Sequence, residues 1–437
     1  MRARAPSPTQ IPAGNDVSAA PTRGSQRASQ SASHGPSWPG SNPTNGRRSS
    51  PGPQPTPTGS DRRHLLDVPP EAFEAELQPL LSELSERPFR TRQLRDWIYR
   101  RLAVSFDEMT DLPERLRAAL AERYVLTSLT EVDRALSSDT TEKFIWRLGD
   151  GREVESVSIP TAAKLTYCIS SQVGCPLACS FCATGKLGYT RQLTAGEIVD
   201  QVRTLLRLTH GVRRAHSSPA TLPDRTPTSR EPNLVFMGMG EPLLNLRNLL
   251  PALAALNSEL GLQFGARRIT VSTAGVAPHI ADLAAFNPQI KLAISLHAPT
   301  DALRDELVPL NRRYPLARLM EACREFARVT RKRITFEYIH LPDVNDLPEH
   351  PRELRDLLGS LPAKINLIPY NPVPGVAYRA PTLAESEAYV ARLRRTVPCS
   401  VTLRRPRGSD IGGACGQLEL ERRHAKLPEP LLALGGS

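Results

Sequence analysis

Three of the seven cysteines of the chain stand close together, and their types and spacing point to metal chemistry. Three residues separate Cys175 from Cys179, and two separate Cys179 from Cys182. Cysteine thiolates bind soft metal ions and iron–sulfur clusters. No fourth Cys or His follows at ligand spacing, whereas a structural zinc ion takes four ligands. The motif therefore favours a [4Fe–4S] cluster with one open iron over a zinc knuckle or chance crowding.

Alternating strand and helix patterns begin at Leu165 and would position this motif. Six strands are predicted, at Leu165–Ser170, Leu234–Met237, Arg268–Ser272, Lys291–Leu296, Ile334–Ile339 and Lys364–Ile368. Helical periodicity between them indicates six βα units and a parallel sheet with its helices outside. Six units are fewer than the eight of a closed barrel, so we expect an α/β fold shaped as a partial (β/α)6 barrel.

Small and polar residues follow most of these strands. They are the cysteine motif, Gly238–Pro242 with Glu241, Ser272–Gly275, Ser295–Pro299 with His297, and Tyr370–Pro372. Parallel α/β folds bind ligands at the carboxyl ends of their strands. Each element alone has a simpler explanation, because a glycine-rich turn is often only a turn and a lone histidine is often structural. Together they suit a zwitterionic, hydroxyl-rich ligand such as S-adenosylmethionine.

The region before the barrel is predicted to contain two smaller units. Residues 64–125 contain three short amphipathic helices, the second rich in arginine, which is either a solvated face or a nucleic-acid contact. Residues 126–163 contain a β-hairpin signal, with Gly149-Asp150-Gly151 between two apolar runs. Glu155 lies on the second hairpin strand, where glutamate is disfavoured, so it is either exposed to solvent or has a task.

Composition limits the class of protein. The formal net charge is +11, of which the first 63 residues supply +6, with eight arginines and two aspartates. This Ser/Pro/Arg-rich segment is predicted to be a disordered basic tail; a transit peptide is the alternative. No apolar run is long enough to span a membrane, and an odd number of cysteines argues against a secreted disulfide framework. We expect a cytoplasmic protein with no membrane partner.

The sequence resembles the radical S-adenosylmethionine (radical SAM) RNA adenine methyltransferases, the RlmN and Cfr group. The resemblance covers roughly residues 64–420. It rests on the following motifs: Val157–Pro160, Cys168–Cys175, the Cys175/Cys179/Cys182 motif, Leu193–Ile198, Gly238–Pro242, Ser295–Pro299, Asn366–Pro372, Arg407–Ile411 and Ala414–Leu418.

The resemblance implies a cofactor pair and a set of site residues. Cys175, Cys179 and Cys182 match the ligands of a [4Fe–4S] cluster that binds S-adenosylmethionine, of which two molecules are used per turnover. Further positions match contacts to S-adenosylmethionine: Gly240, Glu241, Ser272, Ser295, Leu296, His297 and Asn371. Cys415 matches a methyl-carrying cysteine, Glu155 a proton acceptor, and Cys168 a thiol that resolves a protein–RNA adduct by forming a disulfide with Cys415. Cys323 and Cys399 match nothing and are expected in the core.

The implied reaction is methylation of C2 of an adenine in the peptidyl-transferase centre of 23S rRNA, and of the adenine 3′ of some tRNA anticodons. The route runs through an S-methylcysteine, a methylene radical and a protein–RNA adduct. Methylation at C8 uses the same motifs and stays open, as do a radical SAM enzyme acting on small molecules and a non-catalytic RNA-binding protein. The implied partners are these RNAs and a flavodoxin- or ferredoxin-type electron donor, and we expect a monomer.

The expected domain organisation has five parts. They are a disordered tail at 1–63, an RNA-docking helical domain at 64–125, a hairpin connector at 126–163, the radical SAM core with the methyl-carrier loop at 164–420, and a flexible C-terminus at 421–437. A surface loop without assigned chemistry is expected at 211–232.

Overall fold

A computed structural model of the chain describes residues 62–210 and 231–419. The predicted tail, the predicted loop at 211–232 and the predicted flexible C-terminus fall wholly or almost wholly outside these ranges. Within the described residues, no helix is both long and apolar enough to cross a membrane.

One ten-stranded sheet organises the described residues. Its strands, in sheet order, are β14 (Ser400–Leu403), β13 (Ala363–Pro369), β12 (Ile334–His340), β11 (Lys291–Ser295), β10 (Ile269–Thr273), β9 (Asn233–Phe236), β6 (Leu165–Cys168), β5 (Glu153–Pro160), β4 (Glu142–Arg147) and β3 (Thr130–Leu136). Two two-stranded pairs lie outside it: β1 (Arg63–His64) with β2 (Tyr124–Val125), and β7 (Gln172–Gly174) with β8 (Tyr189–Gln192).

The parallel part of the sheet follows the predicted alternation. The helices are α1 (Phe73–Glu83), α2 (Arg90–Tyr99), α3 (Glu114–Arg123), α4 (Ala183–Lys186), α5 (Ala195–His210), α6 (Leu246–Asn257), α7 (Ala277–Phe286), α8 (Asp301–Leu307), α9 (Leu316–Thr330), α10 (His350–Leu358) and α11 (Leu383–Thr396). The six predicted strands are all present, so the α/β partial barrel with an N-terminal helical region is confirmed. Apolar side chains such as Phe236, Ile294 and Phe336 are almost fully buried in its core.

The sheet extends further than the sequence patterns indicated. β14 adds a seventh parallel strand, because Lys364–Leu367 of β13 pairs with it in register. At the other edge, β3, β4 and β5 form an antiparallel meander, and β5 pairs with β6 with Val157 opposite Cys168. The hairpin region thus continues the barrel sheet, and this register places Glu155 beside the end of the first parallel strand.

The arginines of α2 mainly hold the helical region together and attach it to the barrel. Arg95 is buried and forms an ion pair with Glu74. Arg100 donates to the backbone oxygens of Glu259 and Gly261 at 2.6 and 2.5 Å, beyond the end of α6. Arg92 is exposed and forms no ion pair within the described residues. Of these three arginines, Arg92 is the one available to a nucleic acid.

Candidate active site

The cysteine loop, Cys175–Cys182, is a tight turn between β7 and α4. The N–H of Cys175 donates to the Gly188 oxygen at 2.8 Å, and the N–H of Cys182 donates to the Cys179 oxygen at 3.1 Å. A third bond joins the Ser180 N–H to the Leu307 oxygen at 3.2 Å, at the end of α8. These bonds fix both ends and the middle of the loop, so the three cysteines are held in place by the backbone.

The three thiols fit a cluster better than a single metal ion. Burial raises the pKa of each thiol; Cys182 raises the pKa values of Cys175 and Cys179 further, and Cys415 raises that of Cys182. Within residues 62–210 and 231–419, no three Cys, His, Asp or Glu side chains converge as ligands of one ion. In a [4Fe–4S] cluster each cysteine binds a different iron, so the ligands stand apart, and binding to metal removes the thiol protons. The three thiols therefore suit a [4Fe–4S] cluster in which three of the four iron atoms have a cysteine ligand.

A glycine just before the loop gives a direct test of this geometry. Gly174 has φ +73°, and a Cβ there would lie 1.9 Å from the Gly188 oxygen that accepts the Cys175 N–H. Gly174→Ala is therefore expected to displace Cys175 and to reduce bound iron severalfold, measured by iron content and visible absorbance after anaerobic reconstitution. Gly188→Ala is the control, because its φ of +74° is equally strained but nothing lies within 4 Å of the added Cβ. Equal iron content in both variants would contradict the prediction.

The turn after β9 is tied to the strand that leads into the cysteine loop. Gly240 has φ +100°, and a Cβ there would lie 2.6 Å from Cβ of Gln172. The N–H of Glu241 donates to Oε1 of Gln172 at 2.7 Å. The Glu241 carboxylate accepts from the N–H groups of Leu243 and Ala274 at 3.0 and 2.7 Å, and burial raises its pKa to about 7. This buried carboxylate lies beside the cysteine loop, where it could accept a hydrogen bond from an ammonium group.

His297, after β11, faces the cysteine loop with its ring. The ring contacts Phe181 edge-on, with centroids 4.8 Å apart. Its Nδ1 accepts from the N–H of Ile339 at 3.0 Å, and burial lowers the pKa of His297 to about 3, so the ring is neutral. Ser272 is the last but one residue of β10, and Ser295 is the last residue of β11. His297 and Glu241 therefore lie beside the cysteine loop, and the two serines lie near the carboxyl ends of neighbouring parallel strands.

Arg304 of α8 binds the ends of these strands through hydrogen bonds, although no sequence pattern indicates this role. Its guanidinium is fully buried and donates to the oxygens of Leu296 and Ser295 at 3.0 and 3.1 Å, and to the oxygen of Ala274. No local pattern distinguishes this arginine from others on amphipathic helices, so only the tertiary structure reveals its task.

Cys168 and Cys415 line one cavity of about 30 Å³, called the thiol chamber below. Cys168 is the last residue of β6, and Cys415 comes from the far end of the chain. The chamber is also lined by Asn371, after β13, and by Arg404, after β14. Both cysteines are free thiols. The structure thus brings together two thiols that are separated by most of the barrel in sequence.

The segment around Cys415 is held against the cysteine loop. The N–H of Ala183, next to Cys182, donates to the Gly416 oxygen at 2.8 Å. Oγ1 of Thr184 donates to the Leu418 oxygen at 2.6 Å. Residues 407–418, called the Cys415 loop below, are therefore attached to the chain directly after Cys182.

Glu155 is fully buried beside the same loop. Its Oε1 lies 3.1 Å from Nζ of Lys143 on β4, and the side chain of Lys143 is 3% exposed. A Cβ on Gly412 of the Cys415 loop would lie 3.4 Å from the same Nζ. The backbone oxygen of Glu155 accepts from Oγ of Ser170, two residues after Cys168. Glu155 is therefore not an exposed strand carboxylate, and Lys143 is a second site residue that sequence patterns did not reveal.

The turn between β3 and β4 clasps the Cys415 loop from outside. Oγ of Ser137 donates to Oδ1 of Asp410 at 2.6 Å, and the N–H of Gly408 donates to Oδ2 of Asp139 at 3.0 Å.

The remaining two cysteines lie elsewhere. Cys323 is buried on α9, whereas Cys399 is only partly buried, so the expectation of a core position is correct for Cys323 alone.

Comparisons with known proteins agree along nearly the whole described chain. A family profile described as the radical SAM superfamily matches residues 169–358, and one described as the ribosomal RNA large subunit methyltransferase N-terminal domain matches residues 65–126. The dual-specificity RNA methyltransferases RlmN of Anaeromyxobacter sp. (strain Fw109-5) and Anaeromyxobacter dehalogenans are 47% and 46% identical, over 82% and 83% of this chain and 93% of each relative. The crystal structure of a radical SAM methyltransferase from Sphaerobacter thermophilus is 43% identical, with a TM-score of 0.75, over 82% of this chain and all of that one.

Proposed function

The chain belongs to the RlmN family of radical SAM RNA methyltransferases, and we propose that it methylates C2 of an adenine in the peptidyl-transferase centre of 23S rRNA. We extend the proposal to the adenine 3′ of the anticodon in some tRNAs, because its relatives are named dual-specificity enzymes. The observation that carries the proposal is the thiol chamber, in which Cys168 and Cys415 lie together beside the cysteine loop.

The enzyme uses a [4Fe–4S] cluster and S-adenosylmethionine, which supply the methyl group and the radical chemistry that an unreactive aromatic carbon requires. Cys175, Cys179 and Cys182 would hold the cluster. The positions that would contact S-adenosylmethionine are Gly240, Glu241, Ser272, Ser295, Leu296, His297 and Asn371. Support comes from the position of Glu241 and His297 beside the cysteine loop, and from the neutral His297 ring, which adds no positive charge beside a cationic cofactor.

Three residues of the chain would then carry the methyl group to the RNA. Cys415 holds it as S-methylcysteine and, as a methylene radical, joins it to C2 of adenine. Glu155 accepts the proton that leaves C2, a task suited to a buried carboxylate held by Lys143. The adduct would lose one electron to the [4Fe–4S] cluster together with this proton. Cys168 attacks the sulfur of Cys415 and releases the methylated RNA as the two cysteines form a disulfide.

The RNA must present an unstacked base, because the chamber is narrow and enclosed by the barrel. The N-terminal helical region at 64–125 is the proposed RNA-docking domain, with Arg92 exposed on α2. The hairpin region at 126–163 and the core at 164–420 complete the proposed domain division. We further propose a monomeric cytoplasmic enzyme that receives electrons from a flavodoxin- or ferredoxin-type donor.

Mass spectrometry of the modified nucleoside tests the regiochemistry. We expect anaerobically reconstituted enzyme, supplied with reductant and an rRNA fragment or tRNA, to yield 2-methyladenosine. Omitting S-adenosylmethionine is the control. Formation of only 8-methyladenosine would replace the proposal by the alternative Cfr-like activity, and no methyladenosine with either RNA would contradict both.

A further inference from the structure

Three arginines, Arg404, Arg405 and Arg407, line the thiol chamber together with Cys168 and Cys415. Arg404 is the one of them that interacts electrostatically with both thiols. Its N–H donates to the Leu367 oxygen at 2.8 Å, which fixes the start of the side chain beside β13. Nη1 lies 3.8 Å from the sulfur of Met237, and no carboxylate in the described ranges forms an ion pair with the guanidinium. The guanidinium of Arg404 therefore lies near the Met237 sulfur and shares the chamber with the thiols of Cys168 and Cys415.

The two neighbouring arginines differ from Arg404 in their contacts. Arg405 is exposed. Arg407 donates to the backbone oxygen of Asp139 at 3.2 Å, in the turn that binds the Cys415 loop. Arg404 is thus the one of the three whose charge acts on the two thiols, and Arg395, an exposed arginine of α11 outside the chamber, provides a control.

Arg404 lowers the pKa of the Cys168 thiol, and the two thiols raise the pKa of Arg404. Burial raises the pKa of Cys168 to about 12 and the Cys415 thiol adds to this, whereas Arg404 and the Met237 N–H oppose it. The Cys415 thiol is the largest cause of a raised pKa at Arg404, with Glu337 and Cys168 contributing in the same direction. Glu337 is buried on β12, where Asn366 donates to its Oε1 at 3.0 Å. Lys364 also faces Arg404, because burial lowers the pKa of Lys364 and the charge of Arg404 helps to lower it further. The charged and titratable groups around Arg404 are therefore Glu337, Lys364 and the two thiols.

We propose that Arg404 stabilises the thiolate of Cys168 during its attack on the sulfur of Cys415 in the protein–RNA adduct. The inference rests on the proposed function. In this step the S–S bond forms and the bond from the Cys415 sulfur to the methylene carbon breaks. The electron pair of the broken bond goes to the methylene carbon, which takes up the proton released by the Cys168 thiol. The two sulfurs are oxidised by two electrons and the carbon is reduced to a methyl group, so no other oxidant is needed.

The expected size of the effect follows from thiol chemistry. A rise of one unit in the thiol pKa lowers the thiolate fraction about tenfold at a pH below the pKa. The more basic thiolate is about threefold more nucleophilic, which offsets part of this loss. Removal of the Arg404 charge should therefore slow the attack by about three- to tenfold, for a rise of one to two units, and a higher pH should restore the rate.

Single-turnover reactions of the reconstituted enzyme with saturating tRNA or rRNA fragment test the proposal. The covalent protein–RNA adduct is followed on denaturing gels from pH 6.5 to 9. In Arg404→Gln we expect the adduct to form and to decay about three- to tenfold more slowly than in the wild type at each pH, because both enzymes are below the thiol pKa, and raising the pH by about one unit should restore the lost rate. Arg404→Lys should restore most of the rate at pH 7, and Arg395→Gln should resolve the adduct as the wild type does. Adduct decay at the wild-type rate in Arg404→Gln, or slow decay whose rate does not rise with pH, would overturn the role.

A second measurement separates this role from the RNA chemistry. Anaerobic treatment of the reduced holoenzyme with a cyclic disulfide oxidant should join Cys168 to Cys415, as detected by peptide mass spectrometry. Arg404→Gln should shift the pH dependence of this reaction upward, and an unchanged dependence would reject the proposal even if the RNA reaction proceeds. If the wild type forms the disulfide with the expected dependence on Arg404 but never modifies RNA, the proposed function fails while the electrostatic role of Arg404 stands.

Discussion

Cys168→Ala is expected to convert nearly all active enzyme into a stable covalent adduct between Cys415 and the substrate RNA. The variant keeps the clustered cysteines, the Cys415 loop and the buried Glu155, so every step up to carbon–carbon bond formation should proceed. Release then fails, because no other described cysteine lines the thiol chamber. The measurement is a denaturing gel with labelled RNA, followed by peptide mass spectrometry to locate the crosslink. Product formation should fall at least about a hundredfold, since turnover requires a nucleophile at this position.

Three further cysteine variants serve as controls for this result. Cys415→Ala should form no adduct, because the methyl carrier is missing, and the double variant should behave in the same way. Cys323→Ala should release product normally, because Cys323 is buried on α9 away from the chamber. A Cys168→Ala enzyme that releases methylated RNA at a normal rate would show that another group resolves the adduct, and an adduct attached elsewhere than Cys415 would reject the assignment of the carrier.

The elements of this site that sequence could predict are those set by local patterns. The cysteine spacing, the strand-end glycines and the alternation of strands and helices each lie within a few residues, and the structure gathers them at one end of the barrel. The number of parallel strands was underestimated, because β14 is a short edge strand with only two apolar residues, Val401 and Leu403. Periodicity is a weak signal for so short an element.

The electrostatic partners could not be predicted, because they come from distant parts of the chain. Lys143 and Glu155 pair across two strands, Arg304 reaches back to the ends of β10 and β11, and Asp139 binds the Cys415 loop more than two hundred residues away in sequence. Each is an ordinary charged residue in its own segment. The meeting of Cys168 and Cys415 was likewise implied by resemblance alone, and its physical basis is the shared chamber.

Lys143→Met is expected to cause a large loss of stability. Lys143 and Glu155 are 3% and 0% exposed, so the substitution breaks a fully buried ion pair. Breaking a buried ion pair costs about 3–5 kcal/mol in the free energy of unfolding, measured by urea denaturation. Glu155 would also lose the ammonium group that lies 3.1 Å from its Oε1, so it should serve less well as the acceptor of the adenine proton. Methylation of RNA should fall, while S-methylation of Cys415 should persist in the folded fraction.

The double variant Lys143→Met/Glu155→Gln separates the electrostatic cost from a general packing defect. With both charges removed, the chain should regain most of the stability lost in Lys143→Met, because neither charge of the broken ion pair is left in the interior. It should be inactive on RNA, since glutamine cannot accept the proton. Lys143→Arg, which keeps the charge, should be more stable than Lys143→Met. If the double variant were as unstable as Lys143→Met, the loss would come from packing around the lysine stem, and the ion pair would not be what holds Glu155 in place beside the Cys415 loop.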